Sequence, residues 1–319
     1  KKDSGAVGAF RNVLALGLVS FFTDVSSEMC FSILPSFILG LPGGSEAILG
    51  VIEGFAEALS YDMRAISGFF SDKFRRRKVI VFVGYALSNI VKPLFSVAQK
   101  ATDILVIRVT ERVGKGIRTS PRDALLSESI SDKRMGLAFG LHRTLDQLGA
   151  ILGPVIASVA MLFLGLTIRD VFWLSFIPGI MALLVLLFMV KERIGKPSGE
   201  IKLLSGMRTV LKGRFTLLLI VVCIFSLGAF NFSFVLLGAK EAGVQDSLIP
   251  FVLAVINVTH AAIAIPIGFL SDKIGKEKSL LIGYGAFLAT ALALFLSPKD
   301  ILHIFSIAAI YGVYMGIVE

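Results

Sequence analysis

The sequence predicts an all-α, polytopic membrane protein made of two related halves. Apolar residues make up 55% of its 319 residues and charged residues only 17%, and the mean hydropathy is +0.83. These values lie outside the range of soluble globular domains. A short basic loop also occurs twice, starting at Gly68 and again 200 positions later at Gly268. A repeat over such a distance indicates two related halves.

Apolar segments of membrane-spanning length define the helices, because each span needs about 20 residues. We place helices 1 to 10, in chain order, near 12–40, 46–70, 79–98, 103–126, 136–164, 171–190, 214–238, 247–271, 279–297 and 300–319. The expected domains are an amino-terminal six-helix bundle at 1–190, a linker at 191–213 and a carboxyl-terminal bundle at 214–319. If the halves are equivalent, helices 11 and 12 are missing from the carboxyl-terminal bundle.

Loop cations predict the orientation. The predicted loops carry 20 Lys and Arg side chains on one side of the bilayer and four on the other. The positive-inside rule therefore places the amino terminus and the linker in the cytoplasm, and the chain in the cell inner (plasma) membrane. The same rule accounts for the net charge of +9, so this charge does not indicate a nucleic-acid partner.

Ionisable side chains within the spans indicate a polar space. Such groups are costly in a bilayer and usually face a water-filled path or a partner. Helix 3 has only Lys92 and helix 6 has none, so we expect helices 3 and 6 to face lipid and helices 1, 2, 4 and 5 to line the polar space. Among the ionisable residues of these four helices are Asp24, Glu28, Glu53, Glu57, Arg108, Glu111, Arg112, Lys115, Arg118, Arg122, His142, Arg143 and Asp146.

The second half offers aromatic and weakly polar side chains instead, and His260 is the one acidic or basic residue within 215–238, 248–270 and 279–298. A cavity with one charged wall and one apolar wall suits an amphipathic substrate. We predict that the cavity is lined by Arg108, Glu111, Arg112, Lys115, His142, Arg143, Asn231, Asn257 and His260.

Both copies of the basic loop resemble the loop signature of the major facilitator superfamily, Gly-x-x-x-Asp-Arg/Lys-x-Gly-Arg-Arg. The first copy matches at Gly68, Asp72, Lys73, Arg76 and Arg77, with Arg75 in the position of the second Gly; the second matches at Gly268, Asp272, Lys273 and Gly275. The resemblance implies the major facilitator fold, with two pseudo-symmetric six-helix bundles, helices 3 and 6 outermost, and transport by alternating access.

Helix 5 carries a second pattern that resembles the signature of the antiporter (export) branch, Gly-x8-Gly-x3-Gly-Pro-x2-Gly-Gly. The matching residues are Gly140, Gly149, Gly153 and Pro154, with Ala157 and Ser158 in place of the last pair. Small residues four apart form a flat ridge on which another helix can pack closely. Pro154 allows a bend. The resemblance favours export.

The two repeated aspartates are predicted to form a gate at the cytoplasmic ends of helices 2 and 8. A carboxylate can bind at the amino terminus of a helix in the opposite half. Asp272 is therefore expected to reach residues 135–137 at the start of helix 5. We expect Arg118 and Arg122 to complete the lock around Asp72.

Proton coupling requires a buried carboxylate that can load and release a proton. The candidates are Asp24, Glu28, Glu53, Glu57 and Asp146. Glu53 and Glu57 are favoured because two like charges one helical turn apart push one of them towards protonation. The alternative is that each acid is an ion-pair partner of the cations on helix 4.

The sequence thus predicts a monomeric, proton-coupled exporter of a small amphipathic drug or metabolite, with no cofactor, no resident metal and no enzymatic motif. Three alternatives stay open. An organic-anion carrier would use the helix 4 cations, and a sensor built on a carrier fold would need an added soluble domain. A divalent-metal exporter would use Asp24, Glu28, Met29 and Cys30 with Glu53.

Overall fold

The computed structural model describes residues 2–74, 76–130, 134–192, 213–296 and 300–318, with side chains from Phe10 onward except that of Arg214. Arg75 of the basic loop and linker residues 193–212 lie outside this set. All regular secondary structure of the described residues is helical, and ten spans match the ten predicted ones. The chain is therefore an all-α protein, as the sequence predicted.

Six spans are continuous helices and four are interrupted. The continuous helices are helix 2 at Glu46–Phe74, helix 4 at Ala101–Glu128, helix 5 at Met135–Phe163, helix 8 at Ile249–Ile274, helix 9 at Lys276–Leu296 and helix 10 at Ile301–Val318. The interrupted ones are helix 1 at Lys2–Phe31 and Leu34–Leu39, helix 3 at Arg77–Val91 followed by a 3₁₀ turn at Lys92–Val97, helix 6 at Ile168–Leu174 and Phe176–Met189, and helix 7 at Arg214–Gly228 and Phe232–Glu241.

Eight of these spans are long and apolar enough to cross a membrane, which makes the chain a multi-pass membrane protein. Helices 2 and 4 are the two described spans outside that group, because they carry many charged residues. Their charges point inward. Glu53 of helix 2 is 5% exposed and Arg108 of helix 4 is fully buried.

Close helix approaches in the first half depend on glycine. Helix 1 packs on helices 5 and 6, and helix 4 packs on helices 2 and 3. A Cβ atom at Gly153 would lie 2.7 Å from the carbonyl oxygen of Val25, and one at Gly149 would overlap the carbonyl oxygen of Phe21. Gly140 faces open space instead. Helix 5 therefore approaches helix 1 most closely along its second half.

Among the described residues, the contacts between the two halves lie near one end of the molecule. There, Asn257 of helix 8 donates a hydrogen bond to the carbonyl of Ala150 at 2.8 Å, and the Ser158 hydroxyl donates to the carbonyl of Ser247. At the other end, where helices 2 and 8 finish in Lys and Arg residues, Gly136 faces open space and Asp272 is exposed. We call this the basic end, and the contacts at the opposite end the seam.

Candidate functional site

A cavity of about 550 Å³ lies between the two halves. Its walls come from helices 1, 2, 4 and 5 of the first half and from helices 7, 8 and 10 of the second, and no described residue of helices 3 and 6 lines it. The charged lining residues are Asp24, Glu28, Glu53, Glu57, Arg112, Lys115, Arg143 and Asp146.

Arg108 lies directly behind the cavity wall and holds Glu53 in place. Its Nε and Nη2 donate to the two Glu53 carboxylate oxygens at 2.9 and 2.8 Å, and its Nη1 donates to Glu111 at 3.0 Å. The guanidinium carbon also lies 3.7 Å from the centre of the Phe31 ring. This two-point geometry fixes the direction of the carboxylate as well as neutralising it.

Glu57, one turn further along helix 2, has its own cation. Its carboxylate lies 3.3 Å from Nε of Arg112. Because Glu53 and Glu57 each face a separate guanidinium, the repulsion between them that would favour protonation is relieved. The preference for these two residues as the proton site does not follow from the structure.

Asp24 and Asp146 form a different arrangement at the cavity wall. Their carboxyl groups lie close enough to share a hydrogen bond across helices 1 and 5. Asp146 also accepts a hydrogen bond from the Ser20 hydroxyl and lies 3.6 Å from Nη1 of Arg143. A hydrogen bond between two carboxyl groups needs a proton on one of them, since an ionised carboxylate can only accept.

Glu28 and Lys115 are the remaining charged groups of the lining. They come from helices 1 and 4 and both face the cavity. Within the described parts of the chain, neither the Glu28 carboxylate nor the Lys115 ammonium has a hydrogen bond or an ion pair within 4 Å. Both charges are therefore available to a molecule that enters the cavity.

The wall opposite these charges is aromatic. Phe230, Tyr311 and Tyr314 line the cavity, and the Phe230 and Phe287 ring centres are 4.7 Å apart. The Tyr311 hydroxyl donates to the Phe230 carbonyl at 3.0 Å, which satisfies a backbone group where helix 7 is interrupted. Sequence reasoning missed both tyrosines, because the part of helix 10 around them has no charged residue.

Polar side chains predicted in the second half also lie at this boundary. The Asn231 side chain caps the second segment of helix 7 and donates to Glu53 at 3.0 Å, so it joins the two halves. His260 lies 3.2 Å from the amide nitrogen of Gln147. Gln147 was not predicted, since a neutral residue among the charges of helix 5 gave no signal.

Three predicted lining residues are placed differently. Arg108 and Glu111 are buried behind the cavity, where they support Glu53. His142 is buried on helix 5 and does not contribute to the lining, whereas its neighbour Arg143 does. These three side chains do not line this cavity, because consecutive residues on a helix point about 100° apart and need not reach the same surface.

The predicted lock around Asp72 has other members. Asp72 lies 3.2 Å from Arg77, which also pairs with Glu128 at 2.7 Å. Arg118 instead lies over the Tyr85 ring at 4.4 Å, and Arg122 pairs with its neighbour Asp123. In this conformation Arg118 therefore faces helix 3 and Arg122 is paired within helix 4, and their part in a lock around Asp72 stays a prediction.

The other loop residues of the two copies have simpler surroundings. Lys73 and Arg76 are exposed, and Gly68 faces Ser120 of helix 4. In the second copy, Asp272 and Lys273 are exposed and Gly275 has a φ of 92°, a conformation that favours glycine. The contact of Asp272 with residues 135–137 stays a prediction for a conformation that is closed at the basic end.

The ligand set of a divalent-metal exporter is not assembled. In the described part of the chain, no group of three His, Cys, Asp or Glu residues is arranged to hold a metal. Cys30 is buried and its thiol contacts Ser175 of helix 6 at 3.1 Å, facing away from the cavity.

A water-accessible cavity between two helical bundles is the architecture of a secondary transporter. The sequence profile of the Major Facilitator Superfamily matches residues 16–319. The chain therefore belongs to this superfamily of membrane transporters, which confirms the resemblance seen in the sequence.

Individual relatives agree with this assignment. The chain is 35% identical over 315 residues to an uncharacterized MFS-type transporter of Methanocaldococcus jannaschii, with 96% of the chain and 78% of that protein covered. It is 26% identical over 300 residues to the multidrug resistance protein MdtG of Proteus mirabilis, covering 89% of the chain and 73% of the relative.

Solved structures show the same fold. A bacterial homolog of the human lysosomal transporter Spinster, in an inward-facing and occupied conformation, is 19% identical with a TM-score of 0.72, covering 96% of this chain and 71% of that one. The nucleoside transporter NupG is 11% identical with a TM-score of 0.73, covering 96% and 80%.

Proposed function

We propose that this protein is a proton-coupled exporter that carries a small amphipathic molecule by alternating access. The observation that carries the proposal is the close pair of carboxyl groups, Asp24 and Asp146, that both line the cavity. Such a pair binds one proton between two helices, and the cavity gives that proton a route to water on whichever side is open. Either carboxyl can then release the proton when the cavity changes sides.

Several observations support the direction and the orientation. The loop cations favour a cytoplasmic amino terminus and the inner (plasma) membrane, so the open basic end faces the cytoplasm. The pattern on helix 5 favours export, and a multidrug resistance protein is among the relatives. The carrier works as a monomer, with the two bundles rocking about the cavity and Asp272 binding the start of helix 5 when the basic end closes.

The organic-anion alternative is less well supported. It needs cations that are free to bind a substrate, but Arg108 and Arg112 of helix 4 are both paired with glutamates. Lys115 is the one helix 4 cation that lines the cavity without an ion pair within the described residues.

A liposome assay tests the proposal. Purified protein is reconstituted in vesicles with an acidic lumen, and uptake of the cationic dye ethidium and of the anion fluorescein is measured with and without the pH gradient. We expect gradient-dependent ethidium uptake together with alkalinisation of the lumen. Asp24→Asn and Asp146→Asn should each abolish the alkalinisation, whereas Glu46→Gln, an exposed residue at the start of helix 2, should not.

Two results would contradict proton coupling: uptake that is indifferent to the gradient, or alkalinisation that persists in both aspartate variants. Uptake of fluorescein but not of ethidium would instead favour the anion carrier.

A further inference from the structure

Most charged residues that line the cavity have an ion pair or a hydrogen bond with a charged partner, but one acid and one base do not. Glu53 is held by Arg108, Glu57 by Arg112, and Asp146 by Arg143. Asp24 lies close enough to Asp146 to share a hydrogen bond with it. Within the described residues, only Glu28 and Lys115 line the cavity as charged groups without such a contact.

Their positions suit one ligand that carries both charges. Glu28 projects from helix 1 and Lys115 from helix 4, so both stand on the same wall, and they lie too far apart to form an ion pair with each other. The facing wall offers the rings of Phe230, Tyr311 and Tyr314. Charged groups on one side and aromatic rings on the other define the polarity of a ligand that fits between them.

We propose that the cavity binds a zwitterion with an aromatic or other apolar body, its amine bound by Glu28 and its acidic group by Lys115. This inference rests on the proposed transport function and names its substrate class. The body lies against Phe230 and Tyr311, where an ammonium group would also be attracted by the ring faces.

Desolvation explains why a singly charged ligand fits less well. When the cavity closes, an unpaired charge loses its water without compensation, which is costly. A cation would neutralise Glu28 and leave Lys115 unpaired, and an anion would do the reverse. A zwitterion pairs with both groups and adds no net charge to the closed cavity.

Three compounds that share an indole ring test this directly: tryptophan carries both charges, tryptamine only the amine, and indole-3-propionate only the acid. Binding to purified protein in detergent is measured by titration calorimetry at one pH. Because a hydrogen bond to a charged group contributes about 1.5–3 kcal/mol, we expect tryptophan to bind roughly tenfold or more tightly than either analogue.

Two variants assign the contacts. Glu28→Gln should remove the preference for tryptophan over indole-3-propionate, and Lys115→Met should remove its preference over tryptamine. Glu46→Gln and Lys191→Met make the same changes at exposed positions outside the cavity and should keep both preferences. Thermal unfolding shows whether each variant is folded. If a variant does not fold, the relative affinities of the three compounds for the wild-type protein still test the proposal.

The inference is overturned if tryptamine or indole-3-propionate binds as tightly as tryptophan, or if none of the three binds. These outcomes differ from a failure of proton coupling, because the titration involves no gradient. A protein that binds tryptophan but ignores the pH gradient would refute the coupling alone. A protein that couples proton movement to ethidium uptake but binds tryptamine more tightly than tryptophan would refute only the proposal of a zwitterionic substrate.

Discussion

Arg108 shows how a full positive charge is kept inside the membrane. Its side chain is fully buried, and Glu53, Glu111 and the Phe31 ring surround it. Two carboxylates around one guanidinium give a net negative cluster, and Arg112, which also pairs with Glu57, lies 3.8 Å from Glu111. Removing one member of such a cluster leaves a buried charge without a partner, at a cost of about 3–5 kcal/mol.

Arg108→Met should therefore destabilise the protein strongly in thermal unfolding in detergent, by about 3–5 kcal/mol. Arg143→Met makes the same change at a side chain that is 54% exposed, where an ion pair contributes about 0–1 kcal/mol. If both variants unfold at the same temperature, the buried cluster is not a source of stability.

The sequence predicted which helices carry the cavity charges but not how those charges pair. A carboxylate in an apolar span is a strong signal, so Asp24, Glu53 and Asp146 were all found in advance. Their partners come from other helices, however, and depend on helix rotation and depth. Spacing along helix 2 suggested a Glu53–Glu57 pair, whereas packing gave each residue its own arginine.

At the scale of single elements, helix 5 combines two surfaces. Its second half packs on helix 1 through Gly149 and Gly153, where no side chain fits. Its first half, around Gly136 and Gly140, faces open space at the basic end. The repeated small residues predicted a packing ridge, but only the structure shows that this ridge stops before Gly140.

Gly149→Val should destabilise the protein by about 1–3 kcal/mol, because the new side chain would meet the backbone of Phe21 and force helices 1 and 5 apart. Gly140→Val places the same side chain on the same helix in open space, and its effect should stay within about 0.5 kcal/mol. Thermal unfolding of both variants is the measurement. Equal losses of stability in the two variants would show that valine destabilises helix 5 at either position, and that close packing is not what restricts Gly149.

At the scale of the whole molecule, the two halves meet at the seam and are apart at the basic end. The ten spans and the repeat of two halves followed from hydropathy and from the duplicated loop. The sequence did not predict which end is open. If the bundles rock, the same sequence must support both the conformation open at the basic end and the one closed there. The exposed Asp272 fits this view, since its predicted partner at residues 135–137 lies across the opening.

Asp272→Asn should shift the protein towards the conformation that is open at the basic end. A cysteine at Gly140, in a Cys223→Ser background, should then react faster with a hydrophilic maleimide, by a few-fold. Cys30 is buried and should stay silent. Glu46→Gln serves as the control, and an unchanged labelling rate in Asp272→Asn would argue against a latch at this aspartate.

The seam has a thermodynamic consequence. Its polar contacts are single hydrogen bonds, from Asn257 to Ala150, from Ser158 to Ser247, between Gln147 and His260, and from Asn231 to Glu53. Water can take the place of either partner in each of them, so each neutral bond contributes only about 0.5–1.5 kcal/mol and the bond to the Glu53 carboxylate about 1.5–3 kcal/mol. Moving one charge through 100 mV releases about 2.3 kcal/mol. The free energy of moving one charge through the membrane potential of a cell is therefore comparable with that of one or two of these hydrogen bonds. The equilibrium between the two conformations of the carrier should thus depend on the membrane potential even before substrate binds.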